Sequence, residues 1–168
     1  MKIEVSLAGY QEKIILRNLL ELYTYDFSEL DGEDVDESGL YGYRHLDHYW
    51  IDPERFPFLI RVNGELAGFA LVRRGTYFPE LDSSEIGLSW LIAEFFVMRK
   101  YRRQGIGTFV ARDLFERLPG RWEIAQIEGN TEAQIFWRKV IGDYSGGNYS
   151  EVLVKNDCWR GPVQVFNN

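Results

Sequence analysis

Cysteine is nearly absent: Cys158 stands alone in 168 residues, so the chain can close no intrachain disulfide and assemble no thiolate metal cluster. That scarcity fits a reducing compartment, and the expected location is cytoplasmic. Long apolar runs are missing too. No stretch approaches the roughly 20 apolar residues that cross a bilayer, and residues 1–6 lack the apolar core of a secretion signal, so no membrane is expected among the partners. Positive charge is in deficit, with 19 Lys and Arg against 26 Asp and Glu, a net charge of −7 and a pI near 4.9. A nucleic-acid binder needs a broad positive face, so nucleic acid is not expected as a partner, whereas cationic molecules are favoured electrostatically. His45 and His48 stand three apart with no third ligand nearby in sequence, a pattern that suits ordinary partly buried histidines better than a metal centre. The acidic residues Asp26, Glu29, Asp31, Glu33, Asp34, Asp36 and Glu37 lack the D-x-[DN]-x-[DN]-G order of a calcium loop. No metal is expected.

What is present suffices for one folded domain over residues 1–168, since 45% of the residues are hydrophobic and 15% aromatic. Alternation predicts a strand over residues 2–6, and helical spacing predicts a helix over 11–25. Residues 25–43 read as an acidic, aromatic loop or broken helix. Asn63-Gly64, the common type I′ pair, predicts a hairpin of strands 58–62 and 66–72. Another strand is expected over 90–97, a helix over 108–118, a strand over 122–127 and a helix from 131 to 142. Thr131 and Gln134 have the spacing of a capping box at the start of that last helix. Strands over 151–155 and 162–166, joined by a turn at Asn156 and Asp157, close the chain.

The most informative stretch is residues 97–110, V-M-R-K-Y-R-R-Q-G-I-G-T-F-V, where Arg99, Lys100, Arg102 and Arg103 crowd into an otherwise acidic molecule. Such a reversal calls for an anion. Gln104-Gly105-Ile106-Gly107-Thr108 then brings the backbone to a helix start, where the first amides lack intrahelical partners and can donate to a phosphate. A dinucleotide fingerprint is a poor match, because Val110 occupies its third glycine position and six residues separate Met98 from Gly105. A Walker loop fails, because no lysine follows either glycine.

Arg102-Arg103-Gln104-Gly105-Ile106-Gly107 resembles the [RQ]-x-x-G-x-[GA] loop of the GNAT superfamily of N-acetyltransferases, and the surrounding strand, helix, strand and helix, from Trp90 to near Ile141, match that family as well. The resemblance implies an α/β (α+β) fold, with a mixed central sheet, two splayed parallel strands and flanking helices. It implies acetyl-CoA as cosubstrate, with Arg102, Arg103, Gln104, Gly105, Ile106, Gly107 and Thr108 at its diphosphate. Main-chain groups of Phe95, Phe96 and Val97 would meet the pantetheine arm and the thioester oxygen. Asn130 matches the family asparagine that contacts the arm, although capping the following helix explains it equally. Trp137 falls where many members carry a tyrosine that protonates the departing thiolate. An indole is too weak an acid for that, so Tyr144, Tyr149 or water would serve, and Trp137 would pack against the arm.

The implied reaction is direct transfer of an acetyl group to a primary amine of a small molecule or peptide. Glu94 is the candidate base or water-positioner, because a carboxylate inside an apolar strand needs a cleft or a buried partner. It could instead be an edge residue paired with Arg73 or Arg74, with Glu85 or Glu128 as the base. The acidic segment 26–37 is either a wall for a cationic acceptor or a solvated loop. A non-catalytic acyl-CoA-binding module is the alternative to an enzyme, and a homodimer is compatible with the sequence.

Overall fold

The computed structural model describes residues 1–78, 88–157 and 159–168. Glu85 and Cys158, both weighed above, lie outside the described residues. The elements run β1 (Ile3–Leu7), α1 (Lys13–Asp31), β2 (Arg55–Val62), β3 (Glu65–Gly75), β4 (Ser89–Val97), α2 (Ile106–Arg117), β5 (Arg121–Ala125), α3 (Thr131–Ser145), β6 (Ser150–Lys155) and β7 (Arg160–Asn167). The strands form one mixed sheet in the order β1-β2-β3-β4-β5-β7-β6. The chain divides into two compact units: Met1–Leu71 with Glu94–Arg102, and Val72–Ala93 with Arg103–Asn168.

In the first unit, β1 pairs antiparallel with β2, Val5 opposite Ile60. Asn63 and Gly64 both take positive φ, 53° and 87°, as a type I′ turn between β2 and β3 requires. Helix α1 buries Leu16, Leu19 and Leu20 on one stripe. It outruns the expected end at residue 25 by six residues, because the terminating glycine is Gly32, in the left-handed region at φ 74°. Acidic side chains at 26, 29 and 31 disguised that last turn as loop. The segment beyond α1 is folded back onto the helix: Glu21 accepts from the amides of Tyr41 and Gly42, at 2.8 and 2.9 Å, and Asp36 ties its own turn by accepting from Ser38 and Leu40.

In the second unit, β4 and β5 run parallel, with Trp90 opposite Trp122 and Leu91 opposite Glu123 at the starts of both strands. Helix α2 buries Val110, Ala111, Leu114 and Phe115, and Phe115 meets Trp122 and Phe166 edge-on, each at 4.9 Å. The buried carboxylate of Glu123 has no precedent in the hydrophobic pattern. It is satisfied by the Tyr77 amide at 2.7 Å, by the Ser89 hydroxyl at 2.8 Å and by Thr76, with Arg121 at 3.5 Å. The cap of α3 is Asn130, not Thr131, for its side chain accepts from the Ala133 amide at 3.1 Å. Gln134 instead donates back to the carbonyls of Ile127 and Glu128.

Gly68 of β3 has no room for a side chain, since a Cβ there would sit 2.0 Å from the Phe96 carbonyl oxygen. Gly68→Ala is therefore expected to destabilise by about 1–3 kcal/mol through overpacking. Gly9→Ala, at a site with nothing within 4 Å, serves as the control, and urea unfolding of both variants checks the difference.

Candidate active site

Strand β4 stays apolar until Glu94, whose carboxylate is half-buried among aromatic rings of the first unit. Tyr23 of α1 donates to its Oε2 at 2.6 Å, and Tyr43 donates to its Oε1 at 3.1 Å. Tyr23 also packs against Phe69 and Phe96, at 5.8 and 5.9 Å between ring centroids. Burial first, and the Glu94 charge second, push both phenols above the ordinary tyrosine value of 10.0. They remain neutral donors to the carboxylate.

After Glu94 the main chain alternates its direction. Phe96 turns its carbonyl toward Gly68, and the Met98 amide donates to the Ala67 carbonyl at 2.8 Å. Both therefore face β3, and alternation along a strand leaves Val97 facing the opposite edge. The Val97 carbonyl accepts from Arg102 Nε at 2.7 Å. The side chain of Ile106 is buried, at 1% exposure, so any contact it makes with a ligand is through its main chain. Phe96 is buried too, at 5%, and its carbonyl is turned to β3, which leaves Val97 rather than Phe96 at the open edge.

The basic run is partly neutralised from within. Asp26 Oδ1 accepts from Arg99 Nε and Nη2, at 3.1 and 2.8 Å, and Asp26 Oδ2 pairs with Arg102 Nη2. Burial alone would raise the Asp26 carboxyl, but hydrogen bonds from Arg102 and Arg99 outweigh it and hold the group below its ordinary 3.8. The Arg102 guanidinium lies over the Phe96 ring at 5.7 Å. Arg102 thus serves the protein's own anion and the β4 carbonyl, a role the motif alone did not disclose.

The chain then makes a sharp bend. Arg103 takes φ 60° and Gly105 φ 78°, and residues 102–105 are exposed. Gly105 caps α2 without any side-chain hydrogen bond. The first intrahelical bond runs from the Phe109 amide to the Gly105 carbonyl at 3.0 Å, so the amides of Ile106, Gly107 and Thr108 precede the helical ladder. A Cβ at Gly105 would meet nothing within 4 Å. The space before the helix start is open.

Of the remaining candidates, Trp137 is buried, at 5% exposure, and stacks edge-on with Phe136 at 4.9 Å. Asn130 is half-buried and spends its side-chain oxygen on the cap. Tyr144 is wedged against Phe115 at 5.1 Å, with its hydroxyl accepting from Asn168 at 3.4 Å, so its ring serves packing. Sequence reasoning missed Tyr23, Tyr43 and Asp26 as site residues. The only signal was their location in an acidic, aromatic segment, which names no partners.

The family model for the acetyltransferase (GNAT) family matches residues 16–142. The chain belongs to this family. Acetyl-CoA is the cosubstrate of the family. Solved structures of similar fold include an acetyltransferase from Thermus thermophilus, with TM-score 0.70 and 15% identity over 100% of this chain and 98% of that one. The aminoglycoside acetyltransferase AAC(6')-Ib in complex with coenzyme A gives TM-score 0.68 and 15% identity over 99% and 95%. The PaiA N-acetyltransferase from Thermoplasma acidophilum, also in complex with coenzyme A, gives 0.63 and 9% over the full length of both. No curated protein sequence matches significantly. Among the described residues, no helix is long and apolar enough to cross a membrane.

The raised phenols make the acetyltransferase sensitive to alkali. The fold retains protons that the unfolded chain releases near pH ~10, so the stability tied to Tyr23 and Tyr43 is intact below that pH and declines above it. Thermal melts from pH ~8 to ~11 are expected to fall less steeply for Tyr23→Phe and Tyr43→Phe than for the wild type, while Tyr43→Phe costs about 1–3 kcal/mol at neutral pH through loss of a bond to a charged group.

Proposed function

We propose that this acetyltransferase acetylates a primary amine of a small cationic molecule or peptide, with acetyl-CoA as donor. The observation that carries the amine assignment is the Glu94 carboxylate held by two neutral phenols. On this reading the Glu94 carboxylate receives the proton of the incoming ammonium, directly or through a water. A lysine-like amine has a pKa near ~10.4, so an acceptor for that proton is needed before the nitrogen can attack at neutral pH. The exposed carboxylates of Glu29, Asp31, Glu33, Asp34 and Glu37 would draw a cation toward this end of the first unit.

When bound, acetyl-CoA supplies an activated acetyl thioester. The residues at the start of α2 fit its diphosphate, because the bend is exposed, Gly105 leaves open space and three amides precede the ladder. Ile106, Gly107 and Thr108 would hold it through their amides, with Arg103 and Gln104 alongside. The outward main chain of Val97, flanked by Phe95, would receive the arm, and its N–H would donate to the thioester oxygen. The ammonium first gives one proton toward Glu94. Attack by the neutral amine then forms the C–N bond and breaks the C–S bond, the nitrogen gives up a second proton to water, and the departing sulfur takes one up, so that one proton reaches solvent per turnover. Solution in the cytoplasm is the setting that composition favours.

A second reading has one observation in its favour: Trp137 brings an indole where a phenol would protonate the thiolate. On that reading the chain binds acyl-CoA without turnover.

Two measurements separate the readings. With acetyl-CoA and a panel of polyamines, aminoglycosides and peptide amines, acetylated product above the buffer rate is expected, and Glu94→Gln should lower kcat at least about tenfold while coenzyme A binding is kept. Coenzyme A binding with no product on any amine would establish the non-catalytic module. Gly105→Val should weaken coenzyme A binding, read by calorimetry, and, because a β-branched residue is strained at φ 78°, should also cost about 1–2 kcal/mol of stability. Normal binding by that variant would show that the diphosphate lies elsewhere.

A further inference from the structure

Strand β6 ends the sheet beside β7, and five of its six residues are exposed. Val152 is 45% exposed and Leu153 55%. Among the described residues no strand pairs with the outer side of β6, and an edge that carries apolar side chains on both faces is a template for another strand.

The direction of its main chain follows from its neighbours. Gln126 donates its amide to the Pro162 carbonyl at 3.1 Å, so Pro162 faces β5, and by alternation Gly161, Val163 and Val165 face β6. Their register partners are Val154, Val152 and Ser150, whose main chains therefore point inward. Those of Glu151, Leu153 and Lys155 point out from the sheet. Pro162, which has no N–H, lies opposite Leu153, where β7 needs no donor toward β6.

We propose that β6 pairs antiparallel with β6 of a second copy of this chain, about a two-fold axis through Leu153. In that register Leu153 faces its equivalent, and Glu151 faces Lys155 of the second copy, twice over. All three outward residues then exchange main-chain hydrogen bonds with the other chain, and each pair of unlike charges is directly opposed. Registers shifted by two residues, which keep the same parity, leave one outward residue without a partner on β6 and put no opposite charges together. Charge therefore selects the centre. Glu151 is already held for the encounter by Arg138, with paired contacts of 2.8 Å, and by Gln164 at 2.7 Å. Ile135, one turn before Arg138 on α3 and 68% exposed, adds apolar surface on the same side as Leu153. The symmetry is isologous and closes at two copies.

Sedimentation of the full chain across a concentration series is expected to show a monomer–dimer equilibrium. Lys155→Glu, which sets carboxylates opposite one another twice per dimer, should raise the dissociation constant about tenfold, with an unchanged melting curve at concentrations low enough for the monomer to predominate. Leu153→Cys in a Cys158→Ser background should form a disulfide-linked dimer on mild oxidation, because directly opposed residues at the hydrogen-bonded positions of an antiparallel pair lie about 5.5 Å apart. Val152→Cys in that background should not. A monomer at every concentration would overturn the proposal, as would a dimer indifferent to Lys155→Glu, or cross-linking through residue 152 rather than 153.

Discussion

A carboxylate among aromatic rings is the constraint from which the first unit follows. Glu94 interrupts an apolar strand, and an unpartnered charge there would cost several kcal/mol in desolvation, roughly the stability of a small domain. Two phenols supply the donors, one from α1 and one from far along the following loop. Tyr43 reaches Glu94 only because the acidic segment is turned back on itself, and that turn is made by other carboxylates. Glu21 collects the amides of Tyr41 and Gly42, and Asp36 closes its own loop. Part of the segment's acidity is thus structural: carboxylates that bind amides shape it, and the exposed ones give it its charge.

The same division of labour governs the basic turn. Four cations in five residues look like a phosphate clamp, yet Arg99 and Arg102 share Asp26, and Arg102 also braces the Val97 carbonyl. Exposed ion pairs contribute little stability individually. Their effect here is geometric, for they fix the end of β4 and the entry to the bend. On the proposed reading the backbone would meet the anion beside Arg103, for a left-handed glycine opens a helix whose first amides lie ahead of its ladder. Amides cannot be neutralised by an internal carboxylate as a guanidinium can, which makes them the more dependable half of an anion site in an acidic protein.

Most of the architecture was legible because it rests on local rules. The hairpin was announced by Asn63-Gly64, and α2 by its apolar stripe and its stop at Pro119-Gly120. Boundaries failed where a residue serves two purposes. Asp26, Glu29 and Asp31 read as loop but complete α1, and of the two residues that read as caps for α3 it is Asn130, not Thr131, that does the capping. Glu94 was conspicuous as a charge out of place, whereas Tyr23 and Tyr43 were not, because 71 and 51 residues separate them from it and no short-range pattern encodes such a distance. Glu123 was hidden for the same reason, since its donors Thr76, Tyr77 and Ser89 lie 34 to 47 residues away.

The second unit solves a related problem with neutral groups. Gln126 and Gln164 are both buried and exchange amide hydrogen bonds at 2.7 and 3.0 Å, while Gln164 reaches on to Glu151, which Arg138 holds in turn. A slip of β6 by one residue would carry Glu151 to the other face and leave a buried amide and a guanidinium without their acceptor. A purely apolar β7 would impose no such penalty, because valine and leucine tolerate exchange across a register far better than an amide tolerates losing its bond. Register in β6, a strand otherwise too exposed to be fixed by burial, is therefore set by this polar chain, and with it the choice of which main-chain groups the sheet turns toward solvent.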